Sequence, residues 1–301
     1  MKTLAINQQK HLKITAHAMT IQQTILDWYA QHKRDLPWRS TTDPYHIVVS
    51  EFMLQQTQVP RVIPKYHEFL KRFPTIQSLA QASPANVIDA WAGLGYNRRA
   101  LYLHKFAQAI IKQHNGQIPS DREALLELPG IGPYTSQAIR CFAFKKHAAV
   151  VDINIKRIYS RLFFRGAGTE QELQNIAREL IPQSHGVEWN NALMDFGSLL
   201  CTDNPKCNIC PLTVTCTAYK SGTPERYVKP KTQSKFIGSN RFYRSLIIKE
   251  LRKSENFTCS AAAIQKLKPK NKTNEWFEKI IASLEKDGMI TRDVKTVSLP
   301  K

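Results

Sequence analysis

The sequence predicts a mainly α protein that ends in a small winged-helix-like domain. Three observations predict it. Apolar residues recur at helical spacing along most of the first 216 residues, Gly and Pro interrupt them at short intervals, and the composition changes after Cys216.

The elements follow in order. Met19, Ile21, Ile25, Leu26, Trp28 and Tyr29 form a helical stripe that Leu36-Pro37-Trp38 stops. Tyr45 to Gln58 is expected as a second, largely apolar helix. Ser83-Pro84 sets an N-cap before a Pro at the first helical position and opens a helix to Ala92. Gly93 and Gly95 break the chain. Asn97 then caps a helix with Leu101, Phe106, Ala107, Ile110 and Ile111, which stops at Gly116. Asp121 starts a short helix that ends at Pro129-Gly130. The tight Gly130-Ile131-Gly132 turn leads into a helix from Pro133 to about Phe144, and Asp152 caps another to about Phe164. Residues 171–181 and 188–201 complete this set. Ser221 to Ser239, rich in Lys, Pro, Gly, Ser and Thr, has linker composition. Beyond it, Phe242–Leu251, Ser260–Leu267 and Asn274–Leu284 are short amphipathic helices. Asp287-Gly288 then turns Met289-Ile290-Thr291 towards Val294–Leu299. Three helices and a hairpin suggest a winged helix, with a bare three-helix bundle as the alternative.

Charge narrows the function. The 301 residues carry 43 Lys and Arg against 24 Asp and Glu, a net +19. Such an excess favours a polyanionic partner, nucleic acid before an anionic membrane surface. Residues 1–222 hold 25 basic and 16 acidic side chains, and residues 223–301 hold 18 and 8, so the tail is the more densely charged part. No apolar run approaches a membrane span, and the polar N-terminus lacks the apolar core of a secretory signal. A cytoplasmic, nucleoid-associated protein with no membrane contact is expected.

Four of the six cysteines form the run Cys201-x5-Cys207-x2-Cys210-x5-Cys216. Four soft thiolates suit zinc or a 4Fe–4S cluster. Zinc sites usually use two short-spaced pairs, and only Cys207/Cys210 is one here, so the spread spacing fits the cluster better. Cys141 and Cys259 are isolated and are expected as packing residues.

Leu128-Pro129-Gly130-Ile131-Gly132-Pro133-Tyr134-Thr135, set between two helices, has the frame of a helix-hairpin-helix. Its glycines allow close backbone approach, and the amides at the following helix start can face a phosphate. Leu128, Gly130, Gly132 and Thr135 are therefore candidate DNA contacts; the plain alternative is a tight interhelical turn. Glu51 lies in Ser50-Glu51-Phe52-Met53-Leu54-Gln55-Gln56-Thr57-Gln58, with apolar residues on both sides. On a continuous helix Glu51, Gln55 and Gln58 share one stripe. Buried, such a carboxyl suits a general acid; exposed, it is an ordinary helix Glu. Asp152 ends the apolar run Ala148-Ala149-Val150-Val151 and starts a helix, as an N-cap, an active carboxylate, or both.

At these residues the sequence resembles the helix-hairpin-helix DNA glycosylase superfamily, and within it the MutY-type adenine DNA glycosylases. Endonuclease III is a more distant relative. The similarity runs from about Asp27 to Cys216. It takes in Leu36-Pro37-Trp38-Arg39, Ser50-Glu51 to Val59, Gly93-Leu94-Gly95-Tyr96, the 128–135 hairpin, Val151-Asp152 with Asn154, Met194-Asp195-Phe196-Gly197 and the Cys run. The resemblance implies a six-helix barrel over 41–149 and an iron–sulfur cluster domain from 14–40 plus 150–222. A linker over 223–238 and the basic winged-helix-like domain over 239–301 complete the expected organisation.

The resemblance also implies roles. Glu51 matches the acid that protonates a flipped adenine, and Asp152 the carboxylate that stabilises an oxocarbenium-like sugar. Asn154 matches a polar neighbour of that carboxylate. Tyr134 stands where bifunctional relatives carry a Schiff-base Lys, which implies a monofunctional enzyme. Gln55 and Gln56 match the segment that enters the duplex, and Tyr96 a residue that wedges into the stack. Cys201, Cys207, Cys210 and Cys216 match the ligands of a 4Fe–4S cluster. Three features depart from the pattern. The first Cys spacing is five rather than six residues, Ile153 replaces a Gly, and the C-terminal Nudix-like domain that reads 8-oxoguanine is absent from the segment after Ser239. The expected activity is excision of adenine mispaired with 8-oxoguanine or guanine, by a monomer acting on double-stranded DNA that contains a mispair or damaged base. Thymine or uracil removal from mispairs with guanine, or DNA binding without catalysis, are the alternatives.

Overall fold

The computed structural model describes the backbone of residues 2–227 and 234–301, and side chains from residue 17 onward within those ranges. Residues 228–233 of the expected linker lie outside the described residues. The chain is mainly helical. In order come α1 (Lys2–His32), a 3-10 turn (Pro37–Arg39), α2 (Pro44–Leu54), α3 (Val59–Arg72), α4 (Ile76–Gln81), α5 (Pro84–Ala90), α6 (Arg98–His114), α7 (Arg122–Leu126), α8 (Pro133–Phe142), α9 (Ile153–Phe164), α10 (Glu170–Leu180), α11 (Gly186–Leu199), α12 (Thr217–Lys220), α13 (Asn240–Lys253), β1 (Thr258–Ser260), α14 (Ala261–Gln265), α15 (Asn274–Lys286), β2 (Thr291–Arg292) and β3 (Thr296–Ser298). Among the described residues no helix is long and apolar enough to cross a membrane.

Helix starts follow the polar residues that cap them. Asp43 accepts from the Tyr45 and His46 amides before α2, Ser83 from the Asn86 amide before α5, and Asp152 from the Ile155 amide before α9. Thr75 with Ser78, and Thr169 with Glu172, form reciprocal capping boxes.

The helix expected over Tyr45 to Gln58 is shorter and gives way to a turn over its last four residues. α2 stops at Leu54, Gln56 is left-handed at φ 56°, and α3 begins at Val59. The buried Arg99 guanidinium explains the stop. Its Nη1 donates to the carbonyls of Phe52 (2.7 Å), Met53 (2.9 Å) and Gln55 (2.6 Å), which no longer need a following helical amide. The polar stripe of Glu51, Gln55 and Gln58 therefore does not form. α3 carries Pro60 in its first turn and Pro64 inside it, and still buries Val62, Tyr66 and Phe69 on one face.

The chain divides into two compact units. One holds residues 1–42, 120–122 and 132–230. Its core gathers Ile21 and Ile25 of α1, Ile155, Ile158, Tyr159 and Leu162 of α9, Leu173 and Ile176 of α10, and Trp189, Leu193 and Phe196 of α11. Asp195 of α11, fully buried, takes Arg34 Nε at 2.7 Å, Arg39 Nη1 at 2.8 Å and Arg39 Nη2 at 2.9 Å. The Leu-Pro-Trp-Arg and Met-Asp-Phe-Gly segments of the sequence thus meet in one ion cluster.

The other unit holds residues 43–119, 123–131 and 231–301. Its barrel helices α2 to α6 bury Val48, Val49, Phe52, Met53, Phe69, Trp91 and Phe106. The tail shows the three helices and hairpin that the sequence suggests. A short β1, not apparent in the sequence, adds to the hairpin in the order β1-β3-β2, all antiparallel. Ile247, Ile248 and Leu251 of α13 and Phe277, Ile280 and Ile281 of α15 share one cluster with Ala85, Ile88 and Leu101 of α5 and α6. Each large apolar side chain so buried contributes roughly 1.5–3 kcal/mol.

Candidate active site

Asp152 ends the segment before α9. Its Oδ1 accepts the Ile155 amide at 2.7 Å and its Oδ2 accepts Asn154 Nδ2 at 2.9 Å. Burial pushes the carboxyl above the usual Asp range, while the Ile155 amide, the Asn154 donors and the Arg157 charge pull the other way; the net direction is upward. Asn154 Oδ1 in turn accepts Arg157 Nη2 at 2.8 Å. The same Nη2 donates to the Gly197 carbonyl at 2.7 Å, and Arg157 Nε to the Cys201 carbonyl at 2.7 Å. Gly197 is required sterically, because a Cβ there would lie 2.7 Å from Asn154 Cβ. Ile153, at the position where the family pattern has Gly, is 46 % exposed and leaves the Asp152 contacts intact.

Tyr134 sits in the first turn of α8 and packs against a small cluster of Ala138, Cys141, Ala148 and Val150. Thr135 beside it is buried. α8 starts at Gly132 without a side-chain cap, and the space around a Cβ at Gly132 is open. Gly130 differs. Its φ is +79°, and a Cβ there would meet the Phe52 ring at 2.8 Å and Tyr102 Cβ at 2.9 Å. Leu128 is buried and its carbonyl accepts the Ile131 amide, which closes the turn.

Glu51 lies on α2, 6 % exposed, between buried Val48, Val49, Phe52 and Met53. The exposed-helix alternative for this residue is thereby removed. Gln55 is half-buried and Gln56 exposed in the turn after α2. Tyr96, 39 % exposed, is left-handed at φ 46° in the turn before α6.

Cys201, Cys207, Cys210 and Cys216 line one small pocket, partly open to solvent, with Arg161 and Tyr219. Burial pushes the Cys210 thiol up to about 12, and burial plus the neighbouring thiols raise Cys207 and Cys216. Four thiolates so placed repel one another and call for a cationic group between them. Arg161, nearly fully buried, brings Nη1 to 3.5 Å from Cys201 Sγ, and its buried Nε has no hydrogen-bond partner. Among the described residues no three His, Cys, Asp or Glu side chains close on a single ion. The four sulfur donors, with the Arg161 Nε beside them unused among the described residues, fit a cationic group held by thiolates.

Sequence reasoning missed Arg99, Arg157 and Arg161, all buried. The available signal was an Arg set among the apolar positions of an amphipathic helix, as Arg157 and Arg161 are between Ile155, Ile158 and Leu162.

Residues 49–183 match the HhH-GPD superfamily of base excision DNA repair proteins. The chain is 39 % identical over 235 residues to an adenine DNA glycosylase of Mycolicibacterium smegmatis, covering 76 % of this chain and 80 % of the relative. It is 36 % identical over 277 residues to one of Mycobacterium tuberculosis, covering 90 % of each. Its fold is similar to a thermostable thymine-DNA glycosylase, with TM-score 0.66, 31 % identity, and coverage of 69 % of this chain and 98 % of that one. It is also similar to endonuclease III bound to DNA, with TM-score 0.60, 20 % identity and coverage of 68 % and 95 %. The chain belongs to the adenine DNA glycosylase family of the HhH-GPD superfamily.

Proposed function

We propose that this protein is a monofunctional DNA glycosylase that excises adenine mispaired with 8-oxoguanine or guanine. The observation that carries the reading is Glu51, a carboxyl buried among apolar side chains on α2 in a chain of adenine DNA glycosylase sequence. Such a setting suits a group that donates a proton to a base. The target adenine must first leave the helical stack. Glu51 then protonates a ring nitrogen, the C1′–N9 bond breaks with its electron pair going to the base, and water adds at C1′. Asp152 is the carboxylate that offsets positive charge on the sugar, oriented by Asn154 and the Ile155 amide. Tyr134 offers a phenol and no amine, so no Schiff base forms there.

The hairpin of Leu128, Gly130, Gly132 and Thr135 holds the phosphate backbone through main-chain groups, since the Leu128 and Thr135 side chains are buried, and Gln55, Gln56 and Tyr96 enter the duplex. Cys201, Cys207, Cys210 and Cys216 hold a 4Fe–4S cluster, which when bound ties the 201–216 loop into one rigid piece. The protein works as an intracellular, nucleoid-associated monomer.

A panel of duplexes with A·8-oxoguanine, A·G, T·G and U·G tests the reading. Release of adenine is expected, abolished by Glu51→Gln and Asp152→Asn with duplex binding kept. Release of thymine or uracil alone would move the assignment to the activity in the name of the thymine-DNA glycosylase neighbour. Release of no base would leave a DNA-binding protein. A brown protein with visible iron–sulfur absorption supports the cluster; a colourless protein with bound zinc overturns it.

A further inference from the structure

We infer that Arg99 is a positioning residue for duplex opening: one buried guanidinium locks the Gln55–Gln56 turn to the Tyr96 turn, so that the side chains of both enter DNA as a preset pair. The inference rests on the proposed placement of Gln55, Gln56 and Tyr96 in the duplex.

The geometry is specific to these two turns. Nη1 of Arg99 reaches the carbonyls of Phe52, Met53 and Gln55. Nη2 reaches Thr57 Oγ1 at 2.9 Å and the carbonyls of Leu94 at 3.2 Å and Gly95 at 3.0 Å, and Nε reaches the Tyr96 carbonyl at 3.4 Å. Its acceptors therefore flank Gln56 on both sides and run up to Tyr96. These two are the left-handed non-glycine residues of the two turns. A residue held in that conformation needs surroundings that over-determine it. Thr57 adds a direct tie, its Oγ1 donating to the Leu94 carbonyl at 3.1 Å. The guanidinium also lies 5.7 Å from the Tyr96 ring centroid and 5.3 Å from that of Trp91, while Trp91 Nε1 donates to the Gly95 carbonyl at 3.2 Å. The ring of Tyr96 thus packs beside the same group that fixes its backbone, and its hydroxyl accepts from Arg241 Nη1 at 3.3 Å. A core arginine serving only stability would need to satisfy one helix end; this one spans two turns that carry the exposed side chains of Gln56 and Tyr96.

The test compares wild type, Arg99→Lys and Thr57→Val. Lysine keeps the charge but lacks the planar fork needed to bridge both turns. Single-turnover adenine release is measured on an A·G duplex and on one with the adenine opposite an abasic site, where the base is already easier to unstack. The fluorescence of 2-aminopurine beside the target reports unstacking without chemistry. We expect Arg99→Lys to slow release from A·G on the order of 100-fold, the scale of loss when positioning groups shift. We expect Thr57→Val to do so less, both to lose the fluorescence rise, and both deficits to shrink opposite the abasic site. Wild-type fluorescence and rates in both variants would overturn the inference. So would equal losses on the two duplexes in step with a lowered melting temperature. Should Arg99→Lys fail to fold, Thr57→Val decides alone by the same criteria. Should wild type release no base, the proposed function falls, and the fluorescence comparison still decides for Arg99.

Discussion

Asp152 contributes to the pH dependence of the fold and, on the proposed function, of the reaction. Its titration is raised by burial against the pull of its hydrogen bonds, so the native state disfavours the ionised form. The unfolded chain ionises it in the usual Asp range. The stability associated with this group is thus fully present at low pH and is lost as pH rises through the raised native value. A tenfold change in proton affinity between the two states is worth about 1.4 kcal/mol. Asp152→Asn keeps the cap on α9 and removes the charge, so it is expected to raise the melting temperature at pH 8 and to change it little at acidic pH. A melting temperature lowered at pH 8 would contradict this. Asn154→Ala removes a donor to the ionised form and leaves the titration of Asp152 higher still. The acid limb of the single-turnover pH profile should move to higher pH, and an unmoved limb would show that another group controls it. The N-cap role of Asp152 was legible from its place at the end of an apolar run. The anchoring of Arg157 on Gly197 was not, because that contact joins segments 40 residues apart.

At the scale of elements, Asp195 fastens the 34–39 segment to α11. Burial alone would raise its carboxyl, but Arg39, the Arg34 amide and the Arg34 guanidinium hold it below the usual range. Its contribution is present above the unfolded-state value and is lost as pH falls through the depressed native one. Asp195→Asn leaves two half-buried arginines without their shared anion, and a loss of about 3–5 kcal/mol in denaturant unfolding is expected. A loss under about 1 kcal/mol, the scale of a surface pair, would refute that account. The two motifs that meet there were visible in the sequence as separate strings; nothing in their spacing paired them. The break after α2 was illegible for a related reason. Tyr45 to Gln58 has helical composition, and the group that ends the helix lies more than 40 residues away.

On the scale of the molecule, the positive charge has two kinds of use. In the tail, Arg252 joins Arg72 on Asp89, Arg244 joins Arg98 on Asp287, and Arg292 pairs with Glu278 and Glu285 of α15. Those arginines hold structure, which leaves exposed lysines such as Lys266 and Lys270, between α14 and α15, as the tail groups that would meet phosphate if the tail binds the duplex of the proposed function. Duplex affinity should fall steeply with salt, each lysine that meets a phosphate adding about 0.9 to the log–log slope. Lys266→Glu with Lys270→Glu should flatten that slope; an unchanged slope would place the DNA elsewhere. Net charge and the winged-helix pattern were legible from composition and periodicity. The apolar side of α13 was also legible, but its partners Ala85, Ile88 and Leu101 were not, because an amphipathic stripe states that a face is covered without naming the cover.

The Arg99 clamp has a bearing on how this protein can change. Apart from Thr57 Oγ1, its acceptors are backbone carbonyls, which every residue type supplies. The clamp itself therefore does not depend on which side chain stands at 55, while 56 and 96 are limited to residues that tolerate the left-handed backbone. If these tips enter the duplex as proposed, a change of tip at 55 alters what meets DNA without a new scaffold.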